Sequence, residues 1–178
     1  GVLNAMPYAF LDDAPLEERR TQAVLQRRAL DASSADTLGA LDPDAVARVR
    51  GEAWPQPENA EEVHEALLWM GYVTDAEIRE SGWGEWIEEL RGSSRVAQEG
   101  ERCFAVEASR EPKSILRGRL EALGPMVSSS QGRWSLTPED EPSLMALEHE
   151  GVILRCRVEG KKAWCDRRLL ARIHAYTL

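Results

Sequence analysis

No stretch of this chain approaches the roughly eighteen consecutive apolar residues of a membrane-spanning helix, and the opening GVLNAMPYAF has no basic n-region, apolar core or cleavage site. A cytoplasmic protein with no membrane partner is expected. Cysteine is scarce. Cys103, Cys156 and Cys165 are too few and too oddly numbered for a disulfide scaffold, and none stands in a C-x-x-C pair, so reduced thiols are expected, with Cys156 and Cys165 as small buried hydrophobes. The three histidines, His64, His149 and His174, form no H-E-x-x-H and no zinc spacing, which excludes the common metal motifs. No Walker loop, nucleophile elbow or G-x-G-x-x-G is present. Neither a complete active site nor a cofactor site is expected within the 178 residues.

What the chain does have is enough apolar material for a core: 43% hydrophobic residues and six tryptophans, against 22 Lys+Arg and 31 Asp+Glu. That composition fits one or two folded domains better than a disordered acidic tail. Charge is unevenly placed. Residues 1–100 carry twenty acidic and nine basic side chains, whereas residues 101–178 carry eleven acidic and thirteen basic. Any contact with a polyanion is therefore expected at the C-terminal end. The chain stops inside LLARIHAYTL, helical in spacing and without a terminating glycine or proline, as expected for a piece of a longer protein.

Residues 1–56 read as a helical linker. LDDAPLEERRTQAVLQRR has Asp13 as a cap and Pro15 in its first turn, and a second short helix starts at Pro43 and runs to about Arg50. WPQPEN then marks a boundary near residue 57. Beyond it an order of helix, helix and hairpin occurs twice. EEVHEALLWMG places Val63, Ala66, Leu67 and Met70 on one face, and GWGEWIEELRG does so with Trp83, Trp86, Ile87 and Leu90; RVAQEGERCFAVE follows as two strands around a turn. In the second half SILRGRLEALG presents Leu116, Leu120 and Leu123, a later helix carries Leu144 and Leu147, and VILRCRVEGKKAWCDRR forms the hairpin. DAEIRES and SSSQGRW have room for a middle helix in each half. The expected fold is α+β and mostly helical, with N-terminal helices followed by tandem winged-helix modules at 57–110 and 111–178.

The two hairpins align on their turns, with Phe104 matching Trp164, and a loop at Gly160-Lys161 would pair Arg157 with Trp164 and Arg155 with Asp166. Alternation then sends Leu154, Cys156, Val158, Ala163 and Cys165 toward the helices, and Arg155, Arg157, Lys162, Trp164 and Arg168 outward. With Lys161 at the tip, this is a cationic face with a central indole. Cations neutralise phosphates and release counterions, and an indole can stack on a base, so Arg155, Arg157, Lys161, Lys162, Trp164 and Arg168 are the candidate nucleic-acid-binding residues. The alternative for them is an ordinary solvated hairpin with an Arg-Trp contact. The helices that would enter a major groove expose Glu85, Glu88 and Glu89 in the first module and Glu139, Asp140, Glu141 and Glu148 in the second, which argues against base-edge readout there. Trp54, Trp69, Trp83, Trp86 and Trp134 are expected chiefly in cores.

Three stretches, LNAMPYAFLDDAPLEERRTQAVLQRR, LGALDPDAVARVRGEAWPQPENAEEVHEALLWMG and ALEHEGVILRCR with WCDRRLLARIHAYTL, resemble the bacterial Lhr (large helicase-related) proteins, in order and over nearly the whole chain. The resemblance implies a superfamily 2 ATP-dependent helicase acting in DNA repair, which translocates on single-stranded DNA and unwinds DNA or RNA–DNA duplexes. It places this chain at the junction between the helicase core's accessory domain and a C-terminal winged-helix region. ATP and magnesium would then bind an upstream motor, and no residue here inherits those motifs. Implied partners are single-stranded or branched DNA, an RNA–DNA hybrid and the remaining domains of the same chain. That C-terminal region is also similar to winged-helix DNA glycosylases, whose Gln-x-Gln signature is absent here. The favoured reading is a non-catalytic nucleic-acid-binding scaffold; the alternatives are a homo-oligomerisation or protein-interaction module, and part of a glycosylase that removes uracil or alkylated bases.

Overall fold

The computed structural model describes residues 40–128 and 132–177. The chain divides into units of residues 1–40 and 41–178. The helix expected over LDDAPLEERRTQAVLQRR, with its Asp13 cap, lies outside the described residues. Among those described are seven α-helices and two small sheets, an α+β fold that is mostly helical.

Helix α1 (Pro43–Ala53) begins where the Asp42 carboxylate accepts from the Ala45 amide at 3.0 Å and proline fills the first turn. Helix α2 (Ala60–Met70) is capped by Asn59 and stopped by Gly71 at φ 94°. Strand β1 (Val73–Thr74) leads into α3 (Asp75–Ser81) through a capping box: Thr74 Oγ1 accepts from the Glu77 amide, and Glu77 accepts from the Thr74 amide. Then come α4 (Gly84–Gly92), β2 (Val96–Glu99) and β3 (Arg102–Ala105). The sheet order is β1-β3-β2, all antiparallel, with Val73 opposite Cys103. Val63, Leu67, Met70, Ile87, Leu90 and Cys103 fill one core.

The second half repeats most of this order. Helix α5 (Pro112–Leu123), strand β4 (Met126–Ser128), a short β5 (Ser135–Leu136), a 3-10 turn (Pro138–Asp140), α6 (Glu141–His149), β6 (Ile153–Val158), β7 (Lys161–Asp166) and α7 (Arg167–Thr177) follow. The strands lie in the order β5-β4-β7-β6, and β5 runs parallel to β4. The middle helix expected at DAEIRES forms as α3, but its counterpart at SSSQGRW does not form in the described residues, where Ser128 is strand and 132–134 are turn. The physical difference is local. DAEIRES follows a capping threonine with glutamate three residues on, whereas serine and glycine hydrogen-bond or flex out of a helix.

The halves are joined at α2 and α5. A Cβ on Gly118 would stand 2.2 Å from the Trp69 carbonyl oxygen, so only glycine allows this crossing. Beside it Arg119 of α5 reaches Glu77 of α3 and the Tyr72 carbonyl. Helix α1, expected as the end of a linker, instead covers the second hairpin: Ala45, Val46 and Val49 pack with Cys156, Ala163, Leu169 and Ile173.

Candidate functional site

The second hairpin is a pair of antiparallel strands, as expected, but in a different register. Its loop is Glu159-Gly160, with φ of 50° and 79°, the two positive values that a type I′ turn requires. The expected Gly160-Lys161 loop is off by one residue. Moving the loop by one residue moves the pairing by two, so every partner changes while the same residues share a face. Arg155 therefore lies opposite Trp164 rather than Asp166, and Arg157 opposite Lys162.

The sheet also corrects the match between the two hairpins. Trp164 pairs with Met126 of β4 where Cys103 pairs with Val73 of β1, so the indole corresponds to Cys103 and not to Phe104. It is an inward position in both. Cys156 opposite Ala163 answers Glu99 opposite Arg102, and beyond that rung the second hairpin adds two that the first lacks: Arg157 with Lys162, and Val158 with Lys161. The cationic tip is this extension.

Both faces of the hairpin are covered. One face packs on α1 and α7, and the other turns Ile153 and Trp164 into a core with Leu116, Leu120 and Leu147. Trp164, expected outward as a stacking surface, is 2% exposed, and a base could reach it only by dismantling that core. Arg155 stacks over its ring at 4.8 Å and donates to both Glu148 oxygens, at 2.9 and 3.2 Å, so it is committed to the fold. Asp166, expected to pair with Arg155, instead caps α7 by accepting from the Arg168 and Leu169 amides at 2.8 and 3.1 Å.

Of the remaining candidates, Lys161 and Lys162 are exposed at the tip, and neither has a carboxylate in ion-pair range among the described residues. Arg157 is half-buried, and its Nη1 donates to the Gly160 carbonyl at 3.3 Å. Arg168 is exposed but sits at the far end of β7, about 13 Å of strand from Lys162, with Glu121 at 3.8 Å. Thus the structure keeps Arg157, Lys161 and Lys162 together, sets Arg168 apart, engages the half-exposed Arg155 with Glu148 and the Trp164 ring, and takes Trp164 into the interior. The thiols between the hairpin and α1 are inert: burial pushes Cys156 up to about 12 and Cys165 well above its ordinary value.

A second concentration of chemistry was not assembled by sequence reasoning. Trp54 stacks on Trp83 with ring centres 5.5 Å apart and planes 12° from parallel, and the Arg133 guanidinium lies 4.4 Å over Trp54 and 5.3 Å from Trp134. Arg50 covers Trp134 at 4.5 Å. The indole N–H groups are spent inward, Trp54 donating to Ser81 Oγ and Trp134 to the Leu123 carbonyl, each at 2.9 Å. Together with Trp86 these rings line a groove of about 700 Å³ between α1, α3, α4 and the turn at 132–134. Trp83 is core, as expected; Trp54, Trp86 and Trp134 are half-buried.

Charge in the groove is uneven. Arg133 is ion-paired with Glu77, 3.2 Å from an Nε that finds no aligned hydrogen-bond acceptor, and with Glu80 at 3.6 Å. Arg50 donates one bond to the Pro125 carbonyl at 2.7 Å and has no carboxylate in ion-pair range among the described residues; burial lowers its pKa from the ordinary value. The WPQP and RW stretches were the available signal, but residues 54 and 134 meet only through tertiary packing.

Among the described residues no group of three or more His, Cys, Asp or Glu side chains is placed to hold a metal ion, and no helix is long and apolar enough to cross a membrane. No family model matches this chain, nor does any curated protein or solved structure.

Proposed function

We propose that residues 57–177 are two winged-helix modules fused into a non-catalytic scaffold that holds nucleic acid at the tip of the second wing. The order α2-β1-α3-α4-β2-β3, with β1 paired to the hairpin, supports the first module, and α5-β4-α6-β6-β7 repeats it with no middle helix among the described residues. One observation carries the nucleic-acid reading: the two extra rungs of the second hairpin bring Arg157, Lys161 and Lys162 to one projecting end. Such a tip binds backbone phosphates without reading bases. The acidic faces argue the same way, because Glu85, Glu88 and Glu89 of α4 are exposed and repel a duplex from the helix that would otherwise enter its groove. The resemblance to Lhr proteins supplies the setting, a DNA repair helicase whose ATP-driven motor lies upstream and whose single-stranded or branched DNA this scaffold steadies.

The test is the salt dependence of binding to a labelled single-stranded oligonucleotide. Lys161→Glu with Lys162→Glu is expected to weaken binding and to flatten the log–log salt slope by about 0.7 for each phosphate no longer neutralised. Unchanged affinity and slope would overturn the wing's role. Arg155 is left intact because reversing it would unpair Glu148.

A further inference from the structure

Resting on that nucleic-acid reading, we infer that the groove between Trp54, Trp86 and Trp134 receives one unpaired nucleobase of a single strand, with its phosphate toward Arg50. Trp54 already carries Trp83 and Arg133 on its ring and Trp134 carries Arg50 and Arg133, and the N–H groups of both are bonded inward at Ser81 and Leu123, so these two rings frame the groove and the ring left to stack on a base is that of Trp86. A volume of about 700 Å³ exceeds a single base and accommodates a nucleotide with its neighbour.

Trp86 lines both this groove and a second hollow of about 520 Å³ bordered by Ile78, Arg79 and Glu85. The cations decide the class of occupant. Arg133 is neutralised by Glu77 and Glu80, but Arg50 is a half-buried guanidinium without a carboxylate in ion-pair range among the described residues. A flat ring joined to an anion answers both features, whereas a proline-rich peptide would leave that charge unanswered. A paired base is excluded by its own stack, and the exposed Glu85, Glu88 and Glu89 on α4 keep a duplex away. The wing and the groove thus divide the labour: the tip follows phosphates, and the groove selects strands that can present a free base.

The experiment uses the 178-residue chain and an oligo(dT) carrying one 5-iodouracil, irradiated in complex and mapped by mass spectrometry. Crosslinks on the peptides of Trp54, Trp86 or Trp134 are the expected result. In parallel, Trp86→Ala is expected to lower affinity roughly five- to hundred-fold with the salt slope unchanged, while Lys161→Glu with Lys162→Glu flattens the slope and leaves the crosslink in the groove. Crosslinks confined to the β6–β7 peptides overturn the groove and spare the wing. An absence of both crosslinks and salt-sensitive binding overturns both readings. Saturable binding of a proline-rich peptide without any groove crosslink reassigns the site to a protein partner. The mapping on the unsubstituted chain gives its answer even if Trp86→Ala fails to fold.

Discussion

Arg119 holds Glu77 through both ends of its guanidinium, Nη1 3.0 Å from Oε1 and Nη2 2.8 Å from Oε2, with neither side chain more than 5% exposed. The pair ties α5 to α3, and thus one half of the molecule to the other. Removing one partner strands the other charge. Arg119→Met or Glu77→Gln is expected to cost about 3–5 kcal/mol in urea unfolding, whereas replacing both with apolar residues of similar volume recovers much of it. A double variant that loses the sum of the two single losses would show that the side chains do not act as a pair.

The same carboxylate sets an acid limit. Burial opposes ionisation of Glu77, but hydrogen bonding and charge from Arg119, the Thr74 amide and Arg133 outweigh it and hold its pKa below the ordinary value. An acid with a depressed folded pKa contributes stability that is complete above its unfolded pKa and disappears as pH falls through the folded one. The urea midpoint of the unsubstituted chain should therefore drop from about pH 5 downward, and in Glu77→Gln that part of the drop should be missing.

Gly118 offers a cleaner probe of the same junction. An alanine methyl would sit 2.2 Å from the Trp69 carbonyl oxygen and 2.6 Å from the Met70 carbonyl carbon, both backbone atoms that cannot swing aside. Gly118→Ala is expected to destabilise by about 1–3 kcal/mol or more. Gly51, helical and with nothing within 4 Å of an added Cβ, is the control, and its alanine variant should gain up to about 1 kcal/mol. Thermal melts of the two variants should move in opposite directions.

Trp164 should report on stability rather than on binding. Truncation to alanine opens a cavity among Leu116, Leu120, Leu147 and Ile153 and is expected to cost about 3–5 kcal/mol. At temperatures where the variant remains folded, its salt slope for single-stranded DNA should match that of the parent. A flatter slope would return the indole to the binding face.

The thiols give a further check on the covered hairpin. Cys156 and Cys165 are buried and held protonated, so a thiol reagent at neutral pH should modify them only as fast as the chain opens. Rapid labelling of either in native conditions would mean that α1 or α7 does not cover β6–β7 as described.

Much of the first half was legible because its signals are local. Gly71 at the end of its helix and the stripe of Trp83, Trp86, Ile87 and Leu90 act within a turn or two, and all but the half-buried Trp86 of that stripe are core as the spacing implies. The second hairpin was legible only in part. Its alternation survived a misplaced turn because a strand has period two, but Glu159 at φ 50° is a conformation that glycine placement did not announce. Alternation also says which residues share a face without saying which face meets water. The polar-looking face bearing Arg155 and Trp164 lies beneath α5 and α6, and the apolar one lies beneath α1 and α7.

The helices, their caps, the two hairpins and the gathering of positive charge toward the C-terminal end thus follow from the order of residues, since each depends on neighbours a few positions away. Three features needed the folded molecule: Trp164 as core, α1 laid over a sheet more than a hundred residues distant in the chain, and Trp54, Trp86 and Trp134 bordering one groove. Burial and the meeting of remote side chains are set by how whole elements pack, and no local pattern carries that information.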